Sequence, residues 1–213
     1  RSGADTCLTK EEIRKELIAD SKVFHIGSLS LTSEPVKSAT FYALELAKEY
    51  GCIISYDPNY RAPLWDSREK AVEGMRSVLS YVDVMKISDE ETELLTGISD
   101  PEMAAKKLIE NGISIVAVTL GADGALICTK EGCEHVKGYQ VRIVDTTGAG
   151  DSFWGGFLTQ LLESGKMPSE VSLKEAAAFA DYGNAVASLC VEKRGAIPAM
   201  PTKAEVEKRI KGL

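Results

Sequence analysis

Short, almost wholly apolar runs alternate along the chain with longer stretches in which apolar residues recur at helical spacing. The runs at 23–29 and 52–56 read as strands, and those at 82–87 and 115–119 are short and β-branched, as strands buried on both faces are. Residues 125–128 and 134–141 predict a hairpin at one side, turned near Glu131-Gly132. Between these lie predicted helices. Thr9 with Glu12 three positions on forms a capping-box pattern for a helix to Ala19. A second covers 34–49 and stops at Gly51, and Ser67 caps a third running to Ser80. Pro101 opens a fourth after Asp100, ending at Asn111-Gly112. Further helices are expected at 148–163, 173–191 and 203–210. Strands alternating with helices in this way predict βαβ units, a mostly parallel sheet, and helices on both of its faces. No internal repeat or linker interrupts the pattern, so residues 1–213 are expected to form a single α/β domain.

Composition narrows the function. The 32 acidic against 25 basic side chains leave a net charge of −7, which argues against a nucleic-acid partner. No apolar stretch approaches the ~20 residues of a membrane span, so no membrane partner is expected, and no secretory leader pattern opens the chain. Cys7, Cys52, Cys128, Cys133 and Cys190 are scattered without a Cys-x-x-Cys pair, and His25 and His135 lack metal-ligand spacing. Reduced cysteines in a cytoplasmic protein are the expectation. The chain opens at Arg1 rather than methionine, and missing upstream sequence is expected.

The chemistry concentrates after Val144, in the run Asp145-Thr146-Thr147-Gly148-Ala149-Gly150-Asp151 leading into a helical segment. Two glycines around Ala149 permit a tight turn and close approach to a ligand. The N–H groups of Gly148, Ala149, Gly150 and Asp151 at a helix start would converge on one spot that favours an anion. A carboxylate at Asp151 repels a phosphate unless its task is to take a proton from a hydroxyl attacking that phosphate. As an isolated Gly-x-Gly-Asp, the run would more often be a loop with a capping aspartate. It lacks the Gly-Lys-Ser/Thr ending of the P-loop and the third glycine of the dinucleotide fingerprint.

The run from Asp145 through Ser152-Phe153-Trp154-Gly155-Gly156-Phe157 resembles the C-terminal signature of the ribokinase-like (PfkB) carbohydrate kinases. The resemblance implies a three-layer α/β/α sandwich around a mostly parallel sheet. It implies a base at Asp151 and an anion hole from Gly148, Ala149 and Gly150. It assigns Asp145 and Thr147 to a monovalent cation such as K⁺, with a cap and a turn residue as the equal alternative. The run Val118-Thr119-Leu120-Gly121-Ala122-Asp123-Gly124 is similar to the family segment along the nucleotide, with Thr119 and Gly121 at matching positions and Gly124 supporting the turn. Alone it is a hairpin signal. Glu91 matches a glutamate that influences Mg²⁺ through water, while Ser88 stands where asparagine is usual. Asn184 is assigned to the adenine side, where small residues would equally serve helix packing.

The segment Asp57-Pro58-Asn59-Tyr60-Arg61-Ala62-Pro63-Leu64-Trp65 resembles the fructokinase branch and, more loosely, the 2-keto-3-deoxygluconate kinases. It carries Arg61 over as a substrate or phosphate contact, against a surface ion pair as the alternative, with Asn59 beside it on the substrate or phosphate side and shaping the loop together with Asp57. His25 is expected to be packed rather than catalytic, and Arg1 would touch sugar in an intact protein. The expected activity is ATP- and Mg²⁺-dependent phosphorylation of a sugar hydroxymethyl group, fructokinase-like. Alternatives are a 2-keto-3-deoxygluconate kinase and a nucleotide-binding fragment without catalysis of its own. The resemblance covers the later two-thirds of a family member, so N-terminal strands and a lid are expected to lie outside the chain. The family allows a homodimer in the intact protein.

Overall fold

The computed structural model describes residues 3–212; Arg1 lies outside them. Contacts gather in two compact units, Arg1–Val116 and Ala117–Leu213. Six strands follow chain order across one sheet: β1 (Val23–Gly27), β2 (Ile53–Asp57), β3 (Val84–Ser88), β4 (Ile115–Thr119), β5 (Ala125–Thr129) and β6 (Gly132–Val136).

In the first unit, β1 pairs with β2 and β2 with β3 in parallel. All of β2 is buried, as is β3 apart from Ser88, which is why both read as apolar runs rather than alternating ones. The predicted first helix divides. Thr9 and Glu12 do form the capping box, but of a single 3₁₀ turn, Lys10–Glu12. Ile13 and Arg14 are extended, and α1 (Lys15–Ala19) follows. Next come α2 (Val36–Glu49), α3 (Arg68–Arg76), α4 (Thr92–Thr96) and α5 (Pro101–Glu110). At the start of α5 the Asp100 carboxylate accepts from Met103 N at 2.8 Å, as the Asp-Pro pair implies. The third helix stops at Arg76, short of its predicted end, and a 3₁₀ turn at Leu79–Tyr81 leads into β3.

In the second unit, β5 and β6 form the expected antiparallel hairpin, but β6 starts at Gly132 and ends at Val136, short of the predicted 141. Its register sets Cys128 opposite Cys133, and the two are joined in a disulfide with Cα atoms 4.1 Å apart. This corrects the expectation of reduced cysteines, which holds for Cys7, Cys52 and Cys190. Spacing alone did not reveal the pair, because it exists only once the hairpin register places both residues across from each other. Helices α6 (Ala149–Ser164), α7 (Leu173–Val191) and α8 (Lys203–Ile210) complete the unit. Gly156 and Gly183 mark the point where α6 and α7 approach closely: a Cβ at Gly183 would lie 2.7 Å from Phe153 O. Trp154 stacks on Phe157 with ring centroids 4.8 Å apart, and Phe157 meets Phe179 edge-on. Such pairs add about 1 kcal/mol each beyond burial. No described helix is long and apolar enough to cross a membrane.

Candidate active site

The second unit carries the phosphate turn. Gly148 caps α6 with φ 79°, a left-handed conformation, and a Cβ there would come within 2.7 Å of the Ala196 Cβ. Both conditions demand glycine. The first bond of α6 runs from Ser152 N to Gly148 O at 2.8 Å, so the Gly150 and Asp151 N–H groups precede the helical ladder. Ala149 N instead donates to Thr146 O at 3.1 Å, which turns one of the expected donors inward. Asp151 sits in the first turn of α6 and is exposed.

Asp145 fixes this turn from outside the helix. Its Oδ1 accepts from Thr147 N at 2.9 Å and Thr147 Oγ1 at 2.7 Å, and its Oδ2 accepts from Gly195 N at 2.9 Å. The Gly195 amide, then the Thr147 hydroxyl and amide, hold its carboxyl at about 2, below the ordinary 3.8. Gly195 was not legible as a partner from sequence, being 50 residues away.

A cavity of about 350 Å³ opens beside the turn, within the same unit. Gly121, Ala122, Tyr139, Val141, Ile143 and Asn184 line it, and Thr146 and Ala149 join it to the phosphate turn. Of the residues assigned to the nucleotide, Gly121 and Asn184 reach this cavity. Thr119 ends β4, and Gly124 closes the following 3₁₀ turn by donating to Gly121 O. Asn184 is buried, and its Nδ2 donates to Val136 O and Lys137 O at 3.1 and 3.2 Å, so its amide pins the chain leaving β6. Tyr139 was missed: its hydroxyl donates to Asp181 Oδ1 at 3.1 Å, and burial, followed by that carboxylate, pushes it up to about 12.

The first unit carries the Asp57–Arg61 loop. Asp57, the last residue of β2, accepts from Lys86 Nζ at 2.8 Å through Oδ2 and from Asn59 N at 3.2 Å through Oδ1. Asn59 adopts φ 46°, a left-handed conformation that a short amide side chain tolerates. Glu91 is 6% exposed and takes Tyr60 N at 2.7 Å on one oxygen and Ser88 N at 2.9 Å on the other. It therefore clamps the loop to the end of β3. Arg61 is exposed and forms no ion pair among the described residues, so the surface-pair alternative is not what this structure contains. His25 is exposed, which corrects the expectation that it is packed; its Nδ1 lies 3.0 Å from Ser55 Oγ, across to β2. No cluster of three or more metal-ligating side chains occurs among the described residues.

Comparison with known proteins supplies the remaining constraint. Residues 2–203 match the model of the pfkB family carbohydrate kinases. The chain is 44% identical to "Probable fructokinase-5" of Arabidopsis thaliana over 210 residues, covering 98% of this chain and 64% of that protein. It is 42% identical to fructokinase-2 of Solanum lycopersicum, covering 98% and 63%. The chain thus spans a little under two-thirds of the curated relatives it matches. The fructokinase of Vibrio cholerae O395, solved with fructose, ADP and calcium ion, superposes with a TM-score of 0.85 at 32% identity, over 97% of this chain and 66% of that one. The fold is ribokinase-like.

Proposed function

The chain belongs to the pfkB family of carbohydrate kinases, and on that premise we propose that the intact protein transfers the γ-phosphate of ATP to a sugar hydroxymethyl group, with fructose the favoured acceptor. The observation that carries the reading is the start of α6, where unladdered N–H groups and the Asp151 carboxylate share one turn. Asp151 takes the proton of the acceptor hydroxyl, whose oxygen attacks the γ-phosphorus as the bond to ADP breaks. The Gly148, Gly150 and Asp151 amides stabilise charge on the transferring group.

The cavity beside Tyr139 and Asn184 suits an adenine ring: it is mostly apolar and continuous with the phosphate turn. Arg61, exposed and unpaired, is assigned to substrate or phosphate. Mg²⁺, which uses few protein ligands and keeps several waters, would enter with the nucleotide and neutralise phosphate charge. Glu91 has both oxygens on backbone donors, so the donor set fits an ion held by phosphates rather than by a protein cage. Asp145 and Thr147 are the proposed holders of a monovalent cation behind the turn.

The test is an ATP-coupled sugar panel on the intact protein, with 2-keto-3-deoxygluconate as a second acceptor. Fructose should be phosphorylated and the keto acid not. Asp151→Asn should lower kcat by about 10³-fold while nucleotide affinity changes little. Activity within tenfold of wild type would remove Asp151 from the base role.

A further inference from the structure

Lysine is an unexpected residue inside a buried parallel strand. Lys86 lies in the middle of β3, between Met85 and Ile87, neither of which has any exposed surface. Its ammonium meets the Asp57 carboxylate at 2.8 Å with side chains 10% and 6% exposed. The register that pairs Ser55 with Val84 and Tyr56 with Met85 leads one step further to this pair. A buried ion pair of this kind is weak evidence for stability, because desolvating both charges offsets their attraction. Its position says more. Asp57 is the last residue of β2, at the carboxyl edge of the sheet where open α/β sheets hold their ligands, and it passes the constraint on. Its other oxygen takes the Asn59 amide, and the next amide, Tyr60, is held by Glu91. Two buried carboxylates thus fix consecutive residues of a left-handed turn, and Arg61 is the next residue along. The Tyr56 hydroxyl, pushed well above its ordinary value by burial and then by Glu91 and Asp57, reports the same concentration of negative charge. Lys86 is the cation that offsets it.

We propose that Lys86 is a positioning residue for phosphoryl transfer: by anchoring Asp57 it sets the turn at Asn59 and hence the direction of Arg61. The proposal rests on the sugar-kinase reading for its catalytic consequence, but not for its structural one.

The experiment uses the intact protein with Lys86→Met, Lys86→Arg, Arg61→Gln, the Lys86→Met/Arg61→Gln double variant, and Asp57→Asn/Lys86→Met, which removes both charges together. Amide exchange at Asn59 and Tyr60 should rise at least tenfold in Lys86→Met and in the charge-free pair, while amides within β2 keep their protection. Initial rates should show kcat reduced by about 10²-fold, the scale of a misplaced catalytic contact, with a smaller change in the sugar KM. Lys86→Arg should recover most of that rate. The loss should be non-additive with Arg61→Gln, so the double variant is no slower than Arg61→Gln alone, a coupling that general destabilisation does not produce. If Lys86→Met fails to fold, Lys86→Gln, alone and with Arg61→Gln, leaves Asp57 in place and carries the same two readouts. Unchanged exchange at Asn59 and Tyr60, or losses that simply multiply with Arg61→Gln, would overturn the proposal. A wild type that phosphorylates no sugar would instead overturn the kinase reading, and the exchange data would still decide whether Lys86 holds the turn.

Discussion

At Asp145, a single carboxylate ties together residues that are far apart in sequence. The Gly195 and Thr147 donors favour its charged form, so its folded value of about 2 lies below the ordinary 3.8. A depressed carboxylate contributes stability that is complete above its unfolded value and is lost as pH falls through its folded one. Asp145→Asn should therefore melt below wild type by a constant margin above pH 3.8, and the margin should close as pH approaches about 2. Melting curves of both proteins across that range check this, and a margin that widens with acid would refute it. Residue chemistry of this kind was half legible. Glycine and carboxylate spacing, which carries a mechanism, pointed to Gly148 and Asp151, and the family resemblance pointed to Asp145. Gly195, Lys86 and Tyr139 stayed hidden because their partners are set by packing rather than by spacing.

Among elements, the close approach of α6 and α7 depends on glycine rather than on a large side chain. A Cβ at Gly183 would press on Phe153 O at 2.7 Å, a backbone atom that cannot swing aside. Gly183→Ala should cost about 1–3 kcal/mol by overpacking. Gly155, on the same α6 but with nothing within 4 Å of a Cβ, provides the contrast. There alanine should be neutral or stabilising by up to about 1 kcal/mol. Urea unfolding of the two variants should separate them in sign, and equal effects would mean that the helix contact is looser than the geometry implies. Long periodic segments were the readable ones: α7 and α8 fall at 173–191 and 203–210 as their patterns require. The segment after Thr9 was not, because Ile13 and Arg14 leave helical backbone despite a good capping box. Local signals start a helix, but tertiary packing decides whether it continues. The hairpin was expected, its disulfide was not, and only the cross-strand register connects Cys128 to Cys133.

At the scale of the whole chain, the described residues leave an edge strand at β1. In the strand order β1 is an edge, and its five residues carry no Lys, Arg, Asp or Glu to discourage pairing. Beside it, Ile13, Leu17, Ile18, Phe24 and Ile26 line a cavity of about 400 Å³ in the first unit, and Leu17 is 54% exposed. A mostly apolar groove, with Glu12 and Arg14 also in its lining, next to an edge strand without Lys, Arg, Asp or Glu favours association. A polypeptide of these 213 residues should therefore self-associate at micromolar concentration, and Leu17→Glu should shift it toward monomer by placing a charge in the groove. Sedimentation velocity on both proteins reads this directly. Salt helps to identify the force involved: apolar contact persists as ionic strength rises, whereas attraction between surface charges weakens. A wild type that sediments as a single monomer would show that the groove closes on itself. A Leu17→Glu protein that associates as strongly as wild type would move the contact elsewhere, to β6 or to the exposed Ile143, Val144 and Ile197 of the second unit.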